Sequence, residues 1–165
     1  MSNEDLEEIY LDDSEDSIKI DKSFKDLKEH QIEGVKFMWD RCFGNLEKIK
    51  NQDEGNGCIL AHCMGLGKTL QVITLLHTLL TNRENTKVKC VLILCPVIVI
   101  HNWKLELKKW TRECKKKFDI YSLPNKRNKN NNIEQERLLT LGKWFETGGV
   151  FLMGFPMYKR LVRGQ

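Results

Sequence analysis

The amino-acid sequence predicts an α/β fold, a mostly parallel sheet with helices on both faces. Short apolar runs suited to buried strands alternate with longer amphipathic stretches, the pattern left by strand–helix–strand crossovers. A glycine-rich turn sits between the first of these runs and the helix that follows it. At 165 residues the chain holds about one domain's worth of polypeptide, so a two-domain machine is not expected within it.

The elements follow in order. Residues 1–21 hold nine acidic residues and one lysine, too few core formers to fold alone, and are expected as an acidic disordered tail. The whole-chain totals are 27 bases and 23 acids, so residues 22–165 carry 26 bases against 14 acids and form a basic body. From residue 32, Ile32, Val35, Met38, Trp39, Cys42, Phe43, Leu46 and Ile49 recur at three- and four-residue steps, which predicts one amphipathic helix of about five turns. A polar loop follows over residues 51–57.

Residues 57–61 (GCILA) read as a buried strand and 68–80 as an apolar helix. Residues 88–95 (VKCVLILC) read as a second strand, stopped by Pro96. Ile100, Trp103, Leu107, Trp110 and Cys114 lie on one helical stripe, which makes Trp103 and Trp110 packing residues before base-stacking ones. Lysines and arginines between 104 and 117 fall mostly off that stripe, and a solvated face and a nucleic-acid face explain them equally well. Residues 118–123 are the third expected strand, 125–132 a polar loop, 133–145 a helix, and 150–153 a fourth strand after Gly148 and Gly149.

Composition narrows the function classes. A basic body favours an anionic partner, nucleic acid before membrane, and no apolar run approaches the roughly 18 to 20 residues that cross a bilayer. The six cysteines form no CxxC pair and several sit in apolar runs, so they are expected to be reduced, in the cytosol or nucleus. The acidic start argues against a secretory signal or a transit peptide.

The chemistry concentrates in AHCMGLGKT, residues 61–69. Gly65 and Gly67 permit backbone angles and close approach that side chains forbid, and the helix behind them turns its N–H groups and positive end toward the same space. Polyphosphate fits such a cradle. Lys68 is placed to reach the β- and γ-phosphates, and the Thr69 hydroxyl to ligate Mg²⁺. His62 stands where the full GxxxxGK[ST] pattern has glycine; with Cys63, Met64 and Leu66 it is read as loop backbone around the nucleotide, not as a metal or nucleophile site. A nucleotide hydrolase also needs a strand ending in a carboxylate, and residues 70–165 contain no Asp-Glu pair. A guanine-reading NKxD is missing as well, because Asn125-Lys126-Arg127 is followed by Asn128.

Four blocks in order carry a resemblance: LKEHQIEGVKFMWD (27–40), CILAHCMGLGKTLQVITLLHTLL (58–80), VLILCPVIVIHNWKLELKKW (91–110) and GGVFLMGFPMYKRL (148–161). Together they resemble the first four motif blocks of the Swi/Snf-type helicase-like ATPases, and HCMGLGKT with the preceding WD looks most like the ATRX branch. The resemblance implies a RecA-like P-loop lobe over residues 22–165, cut off before the Walker B strand. It implies ATP with Mg²⁺, adenine recognised by Gln31, phosphates by Lys68 and Thr69, and a DNA backbone met by Pro96, Asn102, Lys104 and Tyr158. Double-stranded DNA or chromatin would be the partner, in the nucleus, together with the C-terminal lobe missing from this chain. Hydrolysis by these residues alone is not expected. The alternative is a non-enzymatic, truncated module that attaches to DNA or protein through its basic face.

Overall fold

The computed structural model describes residues 8–124 and 133–164; the polar loop expected at 125–132 lies outside them. The chain divides into two compact units, Met1–Lys87 with Lys109–Lys117 and Val88–Lys108 with Phe118–Gln165.

The first unit is helical. α1 (Glu29–Cys42) buries Val35, Met38 and Trp39 and packs against α3 (Lys68–Thr81), which buries Ile73, Leu75, Leu79 and Leu80. α3 also buries polar groups, and two of them bond within the helix: the Thr74 hydroxyl donates to Leu70 O and the Thr78 hydroxyl to Thr74 O, each at 2.9 Å. The single five-turn helix expected from residue 32 is two helices. Asn45 starts α2 (Leu46–Lys50) by accepting the Lys48 N–H at 2.9 Å, and that capping bond breaks the run although the apolar spacing continues. A short helix α4 (Arg83–Thr86) follows α3.

The acidic leader contributes to this unit over its described part. Tyr10 and Lys19 form an antiparallel bridge, Leu11, Ile18 and Ile20 are buried, and the indole N–H of fully buried Trp39 donates to the Asp12 carboxylate. Residues 57–61 form no strand, and Ile59 is 86% exposed. An apolar run becomes a strand only when a neighbour completes its hydrogen-bond ladder, and none of the described strands pairs with this one.

The second unit is built on a three-stranded parallel sheet of order β1-β3-β2, formed by β1 (Cys90–Cys95), β2 (Ile120–Ser122) and β3 (Gly149–Gly154). β3 is central and buried along its whole length, which accounts for a continuous apolar run in place of alternation. The close approach at its start requires glycine: Gly149 has φ +109°, and a Cβ there would stand 2.4 Å from Asp119 O. α6 (Ile133–Thr147) precedes β3, and its Trp144 indole donates to Gly149 O at 2.9 Å while its ring tilts onto Phe151. α5 (Ile100–Trp110) buries Leu107 completely and half-buries Trp103 and Trp110, as the stripe predicts, but the helix ends before Cys114. α7 (Phe155–Arg163) was not foreseen. Pro156 stands in its first turn, where a missing N–H costs nothing, so the Gly-Phe-Pro that ends β3 also starts a helix.

Candidate functional site

The glycine-rich loop enters α3 through Gly67, which is left-handed at φ 76°, ψ 33°. A Cβ at Gly67 would stand 2.4 Å from Gln31 Nε2, whereas one at Gly65 would meet nothing within 4 Å, so the loop is tight on the α1 side and open at Gly65. No side chain caps α3, which leaves its first-turn N–H groups to the loop. Lys68 is the first residue of the helix. Its ammonium turns back and donates to His62 O at 2.6 Å and Cys63 O at 3.0 Å, so the cation lies inside the loop. Thr69 follows it, half-buried.

Leu66 O is the anchor of the loop. Gln31 Nε2 donates to it at 3.3 Å and Gln71 Nε2 at 3.2 Å, with the His30 ring nitrogen at 3.3 Å. Gln31 is buried, and its Oε1 accepts the Lys28 N–H at 3.0 Å, so both ends of its amide are engaged within α1 and the loop. Gln71 escaped the sequence reading. The available signal was an amide one turn after Lys68, on the face that also carries Thr74, Leu75 and Thr78; it is fully buried and reaches His62 Nδ1 at 3.3 Å. Cys63 and Met64 are at the exposed tip, Met64 at 96%. Near the end of α1, burial pushes the Cys42 thiol up to about 11, helped by the Cys58 thiol 3.8 Å away.

The residues that the motif blocks assign to DNA lie in the second unit. Cys95 and Gly154 are register partners, so Pro96 and α7 leave the carboxyl ends of neighbouring strands side by side. Pro96, Asn102 and Tyr158 are exposed and Lys104 is half-buried. At the same ends, Val97, Ser122, Met153, Arg137 and Arg160 help line a cleft of about 230 Å³. Carboxyl ends of parallel strands are where open α/β sheets bind ligands. The two arginines were not singled out in the sequence; Arg137 Nε is buried with no hydrogen-bond partner among the described residues. Among those residues no helix is long and apolar enough to cross a membrane.

A three-stranded parallel sheet with helices packed on it makes this an α/β fold, and a glycine-rich turn with a lysine opens α3. The model of the SNF2-related domain matches residues 30–156, and the chain belongs to that family. It is 43% identical over 164 residues to the Drosophila melanogaster transcriptional regulator ATRX homolog, covering 96% of this chain and 12% of the relative. The human transcriptional regulator ATRX is 42% identical over 141 residues, 84% of this chain and 5% of the relative. Protein CHROMATIN REMODELING 20 of Arabidopsis thaliana is 39% identical, covering 92% of this chain and 10% of the relative. The chain thus spans a small fraction of the length of these curated relatives. Among solved structures, the Sulfolobus solfataricus SWI2/SNF2 ATPase core in complex with dsDNA matches with a TM-score of 0.50 and 23% identity, over 80% of this chain and 22% of that one. The resemblance drawn from the four motif blocks, including the ATRX branch, is borne out, and so is the α/β fold class.

Proposed function

We propose that these residues are the ATP-binding portion of the first lobe of a DNA-dependent ATPase of the chromatin-remodelling type, working in the nucleus. The observation that supports this most strongly is Lys68 held inside the loop by His62 O and Cys63 O at the uncapped start of α3. ATP would replace those two carbonyls with β- and γ-phosphate oxygens, at about 1.5 to 3 kcal/mol for each charge-assisted bond. Thr69 would hold Mg²⁺, which neutralises phosphate charge when bound. Residues 62–67 would wrap the phosphates with backbone N–H groups, and Gln31 would read adenine by exchanging a loop or α1 partner for the base.

Pro96, Asn102, Lys104 and Tyr158 would meet the backbone of double-stranded DNA, with Arg137 and Arg160 supplying positive charge at the same strand ends. Residues 70–165 offer no Asp-Glu pair to hold the metal and orient water, so hydrolysis would need groups from the rest of a longer protein, including its second lobe. Phosphate release assayed with and without duplex DNA tests this. Background turnover is expected from residues 1–165, and robust DNA-stimulated turnover would contradict it.

A further inference from the structure

We infer that Asp21, His77 and Cys114 form a binding site for a divalent transition-metal ion, zinc by preference, within the first unit. The three side chains come from the last residue of the acidic leader, the second half of α3 and the turn after α5, yet their ligand atoms all lie within 4.8 Å of one another. Around a tetrahedral zinc, ligand atoms 2.0 to 2.3 Å from the metal stand about 3.3 to 3.8 Å apart, so closing the site needs shifts of about an ångström. His77 and Cys114 are buried and Asp21 half-buried, which keeps the site dry on two sides and leaves the Asp21 side for a water as fourth ligand.

The donor set selects the metal. Thiolate with imidazole suits zinc and disfavours magnesium and calcium, which take oxygen ligands. The His77 Nε2 lies 3.0 Å from Lys116 O, and donation to that carbonyl leaves Nδ1 as the nitrogen that would take the metal. The Phe24 ring packs against the imidazole at 5.3 Å and fixes its plane. The Cys114 thiol donates to Trp110 O at 3.7 Å. Metal binding therefore releases one proton from Cys114 to solvent as the Zn–S bond forms, with no change of oxidation state. The ion would pin the second half of α3, the helix that begins at Lys68, to the leader and to the turn after α5.

The test uses the whole 165-residue chain, stripped by chelator and titrated with Co²⁺ and with Zn²⁺. One Co²⁺ per chain with a thiolate-to-cobalt charge-transfer band in the near ultraviolet is expected, and Zn²⁺ should abolish the band and raise the thermal midpoint. Cys114→Ala and His77→Gln should each weaken Zn²⁺ by about tenfold or more, while the double variant Cys42→Ser/Cys58→Ser, which removes the other close thiol pair, should bind as the wild type does. The wild-type titration decides the matter even if a variant unfolds: no band overturns the site. So does a band that survives Cys114→Ala or disappears with Cys42 and Cys58.

Discussion

Gly67 and Gln31 compete for one position: a Cβ on the glycine would stand 2.4 Å from the glutamine's Nε2, at a backbone φ of +76°. The loop is therefore shaped by what α1 presents to it as well as by its own sequence. Gly67→Ala meets a left-handed penalty of about 1 to 2 kcal/mol and must also push Gln31 off Leu66 O. A lower urea midpoint together with loss of nucleotide binding is expected. Unchanged binding would mean that the Gln31 contact does not shape the loop.

At the start of β3 the obstacle is backbone, not a side chain. Gly149→Ala places its Cβ 2.4 Å from Asp119 O at φ +109°, and a loss of at least about 2 kcal/mol is expected by chemical denaturation. Gly142, inside α6, has nothing within 4 Å of its added Cβ. There the same substitution should stabilise, by up to about 1 kcal/mol, because alanine is the better helix former. Equal effects at the two positions would contradict the reading of β3.

Binding through DNA phosphates carries a salt signature. The logarithm of affinity for duplex DNA should fall linearly with the logarithm of salt concentration, and Arg160→Ala or Lys104→Ala should each reduce that slope by about 1. The loss should be the same for unrelated sequences. Filter binding across a salt series measures it, and a flat response removes the DNA proposal.

The leader's packing predicts a dependence on acid. Burial raises the Asp12 carboxyl, but hydrogen bonds from Ser14, Trp39 and Ser17 outweigh it, and the folded value lies below the ordinary one. A depressed folded value contributes stability above the unfolded value near about 3.9, and that contribution is lost as pH falls through the folded one. Asp12→Asn should therefore lower stability at pH 7 and flatten the stability loss below about pH 5. Identical pH curves for the two proteins would show that the leader's carboxylate does not hold Trp39.

What the sequence made legible follows from how local each signal is. Gly65, Gly67, Lys68 and Thr69 announce their geometry over a few residues, and β1 and β3 announce theirs by continuous apolar runs. Residues 57–61 carry the same apolar signal without forming a strand, because a ladder depends on a partner that the run does not encode. Gln71 and the Asp21, His77 and Cys114 cluster were invisible for a related reason: their partners are distant in the chain and no spacing links them. The leader was read from its charge, which outweighs Leu11, Ile18 and Ile20 in composition but not in packing. α7 was missed because Pro156 reads equally as a strand stop and a helix start.

The Lys68 ammonium already sits on His62 O and Cys63 O, where phosphate oxygens would replace them. Titrating the 165-residue chain with a fluorescent ATP analogue in the presence of Mg²⁺, beside Lys68→Ala, tests it directly. Saturable binding that the substitution weakens by about tenfold or more is the expected result, as befits the loss of at least one charge-assisted bond. Equal affinity in the two proteins would contradict the assignment of this loop to nucleotide.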